Sequence, residues 1–438
     1  MPRIAFTSVG CKLNRYEIQL MSESLKRYGF ETMPYNSEAD CYVINTCTVT
    51  GDADLSSRQL IRRAKRRNTD AKIIVTGCYA HLRPEEMQKL KVDLIISNRE
   101  KDTLPHEVLK LFGIVKSEEE IPLSDHNLVI SGMNGLTRAF VKIEEGCDEQ
   151  CTFCTIWMAR GPVISRPADI IIKEINALVS NGYKEVALTG IHIGKYDDRN
   201  QNLSGLLRTI LNQTSIKRIR LSSLNPIEVD DDLISLLASD IRLCPHIHLS
   251  IQSGDDKILK AMRRKYDSKL IVSVIEKLIK SIPNITIGAD FIVGFPGETD
   301  DNFKNTYDLV KSSELHHLHV FPYSDRPGTR ASNLGEKVAV EIRAGRTKSL
   351  RRLGRECKRA HLANFIGKKL SVLIENRVSR NDGMMTGLSE NYLRVAAREI
   401  PQFKGKIIDV YPYAIQNDIL IADIVNNNEF GKLELTII

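Results

Sequence analysis

Strand-like and helix-like patterns alternate along most of this chain. In the first 112 residues, apolar runs at 4–9, 42–45, 73–76 and 94–97 are separated by helical periodicity at 16–28, 53–67 and 84–90. Such alternation predicts an α/β unit with a parallel sheet covered by helices on both faces. Residues 113–136 are polar and mixed, carry Pro122, and read as a linker. A second α/β series follows, with candidate strands at 139–143, 185–188, 218–221, 246–251, 285–293 and 316–321. Helical stretches at 167–181, 203–212, 230–238, 268–280 and 301–312 lie between them. Six β/α units are two short of a closed eight-stranded barrel, so a partial (β/α)6 barrel with a wide lateral mouth is expected. A basic helix is expected over 338–365. Beyond 369, short alternating runs at 370–374, 392–396, 406–410 and 419–424 predict a small antiparallel β-barrel. Its turn signals are Asn381-Asp382-Gly383, Gly405 and Gln416-Asn417-Asp418. The expected domains are therefore 1–112, 137–365 and 366–438, with 113–136 as linker.

Composition changes this picture little. The 42% hydrophobic and 27% charged residues are those of a soluble globular protein. No apolar run approaches the roughly 20 residues that span a bilayer. The N-terminal residues lack the charged and apolar regions of a signal peptide, so a cytoplasmic setting is expected. Nine cysteines then argue for reduced thiols and metal ligation instead of disulfides. The net charge of +7 permits a polyanionic partner without identifying one. Its distribution says more: basic runs occupy 58–67 and 343–359, both in helical stretches. A solvated basic face is the ordinary explanation of such a run, and two of them flanking a candidate active-site domain raise nucleic-acid binding beside it.

The cysteines carry the chemistry. Cys147-x-x-x-Cys151-x-x-Cys154 directly follows the run 139–143. Three thiolates in eight residues can hold three corners of an iron–sulfur cube and leave one iron open to a small molecule. Zinc sites favour paired short spacings with a second pair downstream, and none follows Cys154. Cys11, Cys47 and Cys78 each follow one of the first three strands, so the topology puts all three at the carboxyl edge of one sheet. Three unrelated, semi-buried thiols are the plain alternative. Cys41, Cys244 and Cys357 lack partners at useful spacing and read as core. Candidate cofactor contacts are Phe153 inside the cysteine loop, and Thr189, Gly190, Ser222, Gln252, Gly294 and Phe295 after successive barrel strands. Ordinary turn chemistry explains these loop residues about as well. His246, His248, His316, His317 and His319 are expected to reflect core and surface alternation. No general base is assigned.

The Cys147–Cys154 loop after a first barrel strand resembles the radical S-adenosylmethionine superfamily. The three N-terminal cysteines narrow the resemblance to its methylthiotransferases. Thr189-Gly-Ile-His-Ile-Gly194, Arg220-Leu-Ser-Ser-Leu-Asn-Pro226, His248-Leu-Ser-Ile-Gln-Ser-Gly254, Ile292-Val-Gly-Phe-Pro-Gly-Glu298 and His319-Val-Phe-Pro-Tyr-Ser324 are similar to further motifs of that family. The resemblance implies two [4Fe–4S] clusters, a radical-generating one on Cys147, Cys151 and Cys154, and an auxiliary one on Cys11, Cys47 and Cys78. It also implies S-adenosylmethionine as source of both the methyl group and the radical, and a C-terminal barrel of the TRAM type. Gly10-Cys-Lys-Leu-Asn14 with Asn45-Thr-Cys-Thr-Val-Thr50 looks like the branch acting on N6-threonylcarbamoyladenosine in tRNA. Other branches act on isopentenyladenosine or on a ribosomal-protein aspartate. A non-catalytic RNA-binding iron–sulfur sensor is the alternative from another class. The implied partners are a tRNA anticodon loop, an electron donor and a sulfur source, with no membrane. Arg62, Arg63, Arg66 and Arg67, and Arg351, Arg352 and Arg355, are the expected phosphate contacts.

Overall fold

The computed structural model of the chain describes residues 2–114, 128–378, 384–397 and 401–424. Pro122 and the Asn381–Gly383 turn signal lie outside the described residues. The N-terminal unit is a five-stranded sheet, ordered Glu31–Met33, Arg3–Ser8, Cys41–Thr46, Lys72–Gly77, Leu94–Ile95, with every pair parallel. The three-residue edge strand Glu31–Met33 was not expected from the sequence, since its side chains are exposed or half-buried and carry no core pattern.

Six parallel strands form the central unit as two three-stranded sheets. One is Arg218–Leu221, Glu185–Thr189, Ala139–Lys142; the other is His246–Gln252, Thr286–Val293, His317–Pro322. Bridges from Ile219 to Leu243 and from Leu224 to Leu249 join them into the expected partial barrel. Alternation decides what faces inward. Ile219, Leu221, Ile247, Leu249, Ile251, Ile287, Ala289, Phe291 and Val293 belong to the main hydrophobic core under the helices. Their neighbours Arg218, Arg220, His246, His248, Asp290, His317 and His319 therefore face the lumen. The histidines thus depart from a simple core-and-surface alternation: only His316 turns outward, stacked on His361 with ring centroids 3.6 Å apart.

The N-terminal unit fills the open side of this barrel. Along the helix Lys12–Lys26, Leu13, Tyr16 and Leu20 enter the barrel core, while Met21 and Leu25 enter the N-terminal core. Tyr16 also donates to Glu174 at 3.0 Å. At the other edge, Arg326 donates to Thr48 and Asp54, both at 2.6 Å. One amphipathic helix is thereby shared by two cores, which fixes both units as one body.

The helix Val340–Ala363 leads into a closed five-stranded barrel, Leu370–Val378, Met385–Ser389, Arg394–Ala397, Ile419–Ile424, Ile407–Gln416. One of its pairs, Arg394–Ala397 with Ile419–Ile424, is parallel; the others are antiparallel. This small barrel plugs the lumen floor. Arg218 donates to the Ser371 carbonyl at 2.6 Å, Arg220 to those of Ser389 and Glu390 at 3.1 and 3.2 Å, and Arg138 pairs with Glu375 at 2.7 Å. His246 stacks on Tyr392 at 4.0 Å. Arg220 is fully buried and holds Glu185 at 3.0 Å. Arg220→Ala leaves that carboxylate buried without its nearest cation, so urea denaturation should show a loss of roughly 3–5 kcal/mol. The double variant Arg220→Met, Glu185→Leu should lose clearly less, because it removes both charges together.

Candidate active site: two thiol triads and a polar lumen

Cys11 precedes the helix Lys12–Lys26, Cys47 follows the strand Cys41–Thr46, and Cys78 opens the short helix Cys78–Leu82. All three lie at the carboxyl edge of the sheet and within electrostatic reach of one another. Burial, reinforced by Cys78 and Cys11, pushes the Cys47 thiol up to about 12. Gly10 makes the convergence possible. Its φ is +95°, and a Cβ there would lie 2.6 Å from Cys47 Sγ. Asn98, which sequence reasoning missed, donates to Cys78 Sγ at 3.3 Å.

The second triad occupies the loop between the strand Glu144–Glu145 and the helix Ile156–Arg160. Its turn depends on Gly146, where φ is +89° and a Cβ would meet the Pro162 carbonyl at 1.8 Å. Donors are aimed at its sulfurs: Arg264 Nη1 at 3.1 Å from Cys151 and the Ile156 N–H at 3.4 Å from Cys154. His192 Nδ1 stands 3.7 Å from Cys147 Sγ. Burial pushes Cys154 up to about 12 and raises Cys151. Burial also disfavours a charged His192, but Cys147 and Glu228 outweigh it and push the imidazole up to about 10. Arg264, His192 and its partners Asn225 and Glu228 were not foreseen as site residues. His192 and Asn225 do stand inside the motifs after the second and third barrel strands.

One buried network joins the two triads. Arg160 has a fully buried side chain and donates to Asn14, Glu17 and Glu145, each at 2.7 Å. Lys101 and Asn45 also reach Glu17, at 2.5 and 2.8 Å. Burial alone would raise the Glu17 carboxyl; Arg160 and Lys101 prevail and hold it well below the usual carboxylate range. Asn14 is three residues from Cys11, and Glu145 two from Cys147.

The remaining candidates line the carboxyl ends of the barrel strands. Thr189 is buried, and Gly190 lies so close to Glu144 that a Cβ would sit 2.2 Å from its Oε1. Ser222 Oγ is buried and has no hydrogen-bond partner among the described residues. Gln252 adopts φ +73° at a break in strand register, a strained backbone for a non-glycine residue. Gly294 packs under Arg343, whose Cγ would lie 2.1 Å from a Cβ. Phe153 is half-buried beside a cluster formed by Ile258, Met262, Phe295, Tyr323 and Ala331. The side chain of Phe295 itself is fully buried and packs edge-on to Tyr323 at 5.6 Å, within that cluster. In the lumen, His248 and His319 both bond Asp290 Oδ1, at 2.9 and 3.1 Å, and His317 meets His319 at 2.9 Å.

The basic runs divide. Arg346 is buried on Glu298 and Asp300, at 2.6 and 2.7 Å, and Arg67 is tied to the Tyr35 carbonyl at 2.6 Å. Arg62, Arg63, Arg66, Arg352 and Arg355 are exposed; Arg351 is exposed but bonds the Val320 carbonyl at 2.8 Å. Arg343, Lys348, Arg351 and Arg355 line a cleft of about 1100 Å³ that also takes in Thr50–Asp52 and Phe321.

Family models match at two places, the radical SAM superfamily over residues 141–310 and the uncharacterized protein family UPF0004 over residues 3–97. Threonylcarbamoyladenosine tRNA methylthiotransferase MtaB of Bacillus subtilis is 36% identical, aligning 94% of this chain with 95% of that protein. Its counterpart in Aquifex aeolicus is 37% identical, over 93% and 99%. The chain belongs to the MtaB-type radical SAM methylthiotransferases. The tRNA-2-methylthio-N(6)-dimethylallyladenosine synthase of Ehrlichia canis is 32% identical over 88% of this chain and 91% of that one. Among solved structures, the radical S-adenosylmethionine methyltransferase TsrM of Kitasatospora setae shares the fold at TM-score 0.57 and 14% identity, over 76% of this chain and 77% of that one. S-adenosylmethionine and a [4Fe–4S] cluster are the cofactors implied for this methylthiotransferase by its family. The residues present fit them: soft thiolate donors in threes, N–H groups directed at sulfur, and the orphaned Ser222 hydroxyl.

Glu144 supplies a pH test of this site. Burial pushes its carboxyl up to about 7, against the opposing N–H of His192, and Oε2 has no hydrogen-bond partner among the described residues. The folded state therefore holds a proton that the unfolded chain releases near pH 4. Stability from this group is full below that value and is lost as pH rises through about 7, a span of about 3 kcal/mol. Glu144→Gln should flatten the fall in urea midpoint between pH 5 and pH 8.

Proposed function

We propose that this methylthiotransferase converts N6-threonylcarbamoyladenosine beside the tRNA anticodon to its 2-methylthio derivative, using two [4Fe–4S] clusters. Cys147, Cys151 and Cys154 would hold the radical-generating cluster; Cys11, Cys47 and Cys78 would hold the auxiliary one. The observation that carries this reading is the pair of thiol triads tied together by Arg160 across the two units. When bound, the clusters and S-adenosylmethionine supply the radical, the methyl group and the inserted sulfur.

The chain's own residues bind, orient and exclude water. Thr189, Gly190, Ser222, Gln252 and Gly294, with Phe153, form the S-adenosylmethionine surface, and the free Ser222 hydroxyl is the polar contact left open for it. Asn98, Arg264 and His192 fix the cysteine side chains. The cleft beside the helix Val340–Ala363 receives the anticodon stem, its exposed cations meeting phosphates and Phe321, 43% exposed, offering a face to a splayed base. An electron donor, a sulfur source and a cytoplasmic setting complete the reading.

Mass spectrometry of tRNA nucleosides from cells with and without the gene tests it. The 2-methylthio form of threonylcarbamoyladenosine should vanish on deletion and return with the wild type but not with Cys47→Ala. Purified Cys47→Ala should hold about half the wild-type iron, as loss of one four-iron cluster of two requires. A vanishing 2-methylthio isopentenyladenosine instead would reassign the substrate. Lys348→Glu with Arg355→Glu should weaken tRNA binding at least tenfold and flatten its salt dependence, with iron content unchanged.

A further inference from the structure

Charge pairing in the lumen floor leaves one cation over. Arg220 occupies both oxygens of Glu185, at 3.0 and 3.3 Å. Arg138 holds Glu375, and Arg218 is satisfied at Ser371, where it reaches both the carbonyl and the hydroxyl, at 2.6 and 2.7 Å. Lys12, at the start of the helix shared by the two cores, is half-buried and within electrostatic reach of Arg138, Arg220, Glu185 and His246; burial and the two guanidiniums push its ammonium down to about 8. It has no hydrogen bond or ion pair among the described residues. A half-buried lysine within reach of two arginines, its one nearby carboxylate already taken, would gain from an anion brought from outside the chain.

Resting on the reading given under Proposed function, we infer that Lys12 is the specificity-determining contact for the carboxylate of the N6 substituent. The geometry of the base agrees. C2 and C6 of adenine flank the same ring nitrogen, so a base presenting C2 to the thiols of Cys11, Cys47 and Cys78 carries its N6 arm past the residue next to Cys11. The rest of that wall is polar, with His246, His248, Asp290, His317 and His319, and suits the carbamoyl and hydroxyl groups of a threonyl arm. An isopentenyl arm offers no anion and would leave Lys12 and these groups desolvated and unpaired, the situation in which a polar site rejects an apolar analogue most strongly.

The test uses the reconstituted holoenzyme and three anticodon stem-loop RNAs, bearing threonylcarbamoyladenosine, its methyl ester, or isopentenyladenosine. Wild type should methylthiolate the free acid and lose on the order of 100-fold in kcat/KM on the ester, mostly through KM. Lys12→Gln should lose as much on the acid and nothing further on the ester, with iron content and S-adenosylmethionine cleavage as in wild type; Lys12→Arg should restore part of the loss. Equal wild-type turnover of acid and ester would overturn the inference while leaving the proposed function standing, since Lys12 would then only balance the charge of the neighbouring thiolates. The ester comparison needs no variant, so it decides even where Lys12→Gln loses its iron. Turnover of isopentenyladenosine RNA alone would overturn the substrate reading, and the inference with it.

Discussion

The placement of every reactive group depends on one buried guanidinium. Arg160 ends the short helix after the second cysteine triad, yet two of its three acceptors, Asn14 and Glu17, lie on the helix that Cys11 precedes. Its charge is fully removed from water, so the pairing is costly unless every partner is in place. That requirement gives the network its geometric force. Lys101, Asn45 and Glu145 complete it, and each comes from a different segment. A small relative shift of the two units would break several charge-assisted bonds at once. Apolar packing of Leu13, Tyr16 and Leu20 supplies adhesion between the units; the ion network supplies register.

A similar division holds at the lumen floor. The small C-terminal barrel has its own apolar core, including Val372, Ile374, Val395, Val410 and Leu420. Its attachment to the central barrel runs instead through Arg138, Arg218, Arg220 and the stacked His246–Tyr392 pair. An apolar plug would hold as well, but it would not leave the lumen polar. Charges on the strand interiors keep the lumen hydrophilic while the carbonyls of Ser389 and Glu390 satisfy them from below. The C-terminal barrel thereby closes the floor of the lumen.

The sequence exposed what local pattern can expose. Strand and helix periodicity located the N-terminal parallel sheet and the partial barrel, and cysteine position after successive strands pointed to one sheet edge. Long-range pairing was not legible. Nothing local tells that Arg346 is spent on Glu298 while Lys348 is exposed, or that Arg67 is tied to Tyr35 while Arg66 is free to meet solvent. The surroundings of Phe295 were hidden for a related reason: a Gly-Phe-Pro-Gly loop looks open, but the aromatic ring turns back into a cluster built from three other segments. The strand Met385–Ser389 was not among the alternating runs read in the C-terminal part. His192 and Arg264 were missed because their meaning lies in which sulfur they face.

The thiols themselves explain why these supporting residues matter. Burial pushes the Cys47 and Cys154 thiols up, each to about 12. Binding of a metal at the proposed triads would therefore displace protons, and its positive charge, together with Arg160 near the first triad and Arg264 on the second, would make the thiolates tolerable in a partly desolvated site. Gly10 and Gly146 hold the backbone in conformations open to glycine, so the chain's own packing brings the cysteines together. The chain thus builds this thiol geometry from its own packing, and a bound cofactor would complete the charge balance. A site organised this way separates two demands: substitutions that disturb the glycine turns act on geometry, whereas those at Arg160 or Arg264 act on the energy of the thiolate state.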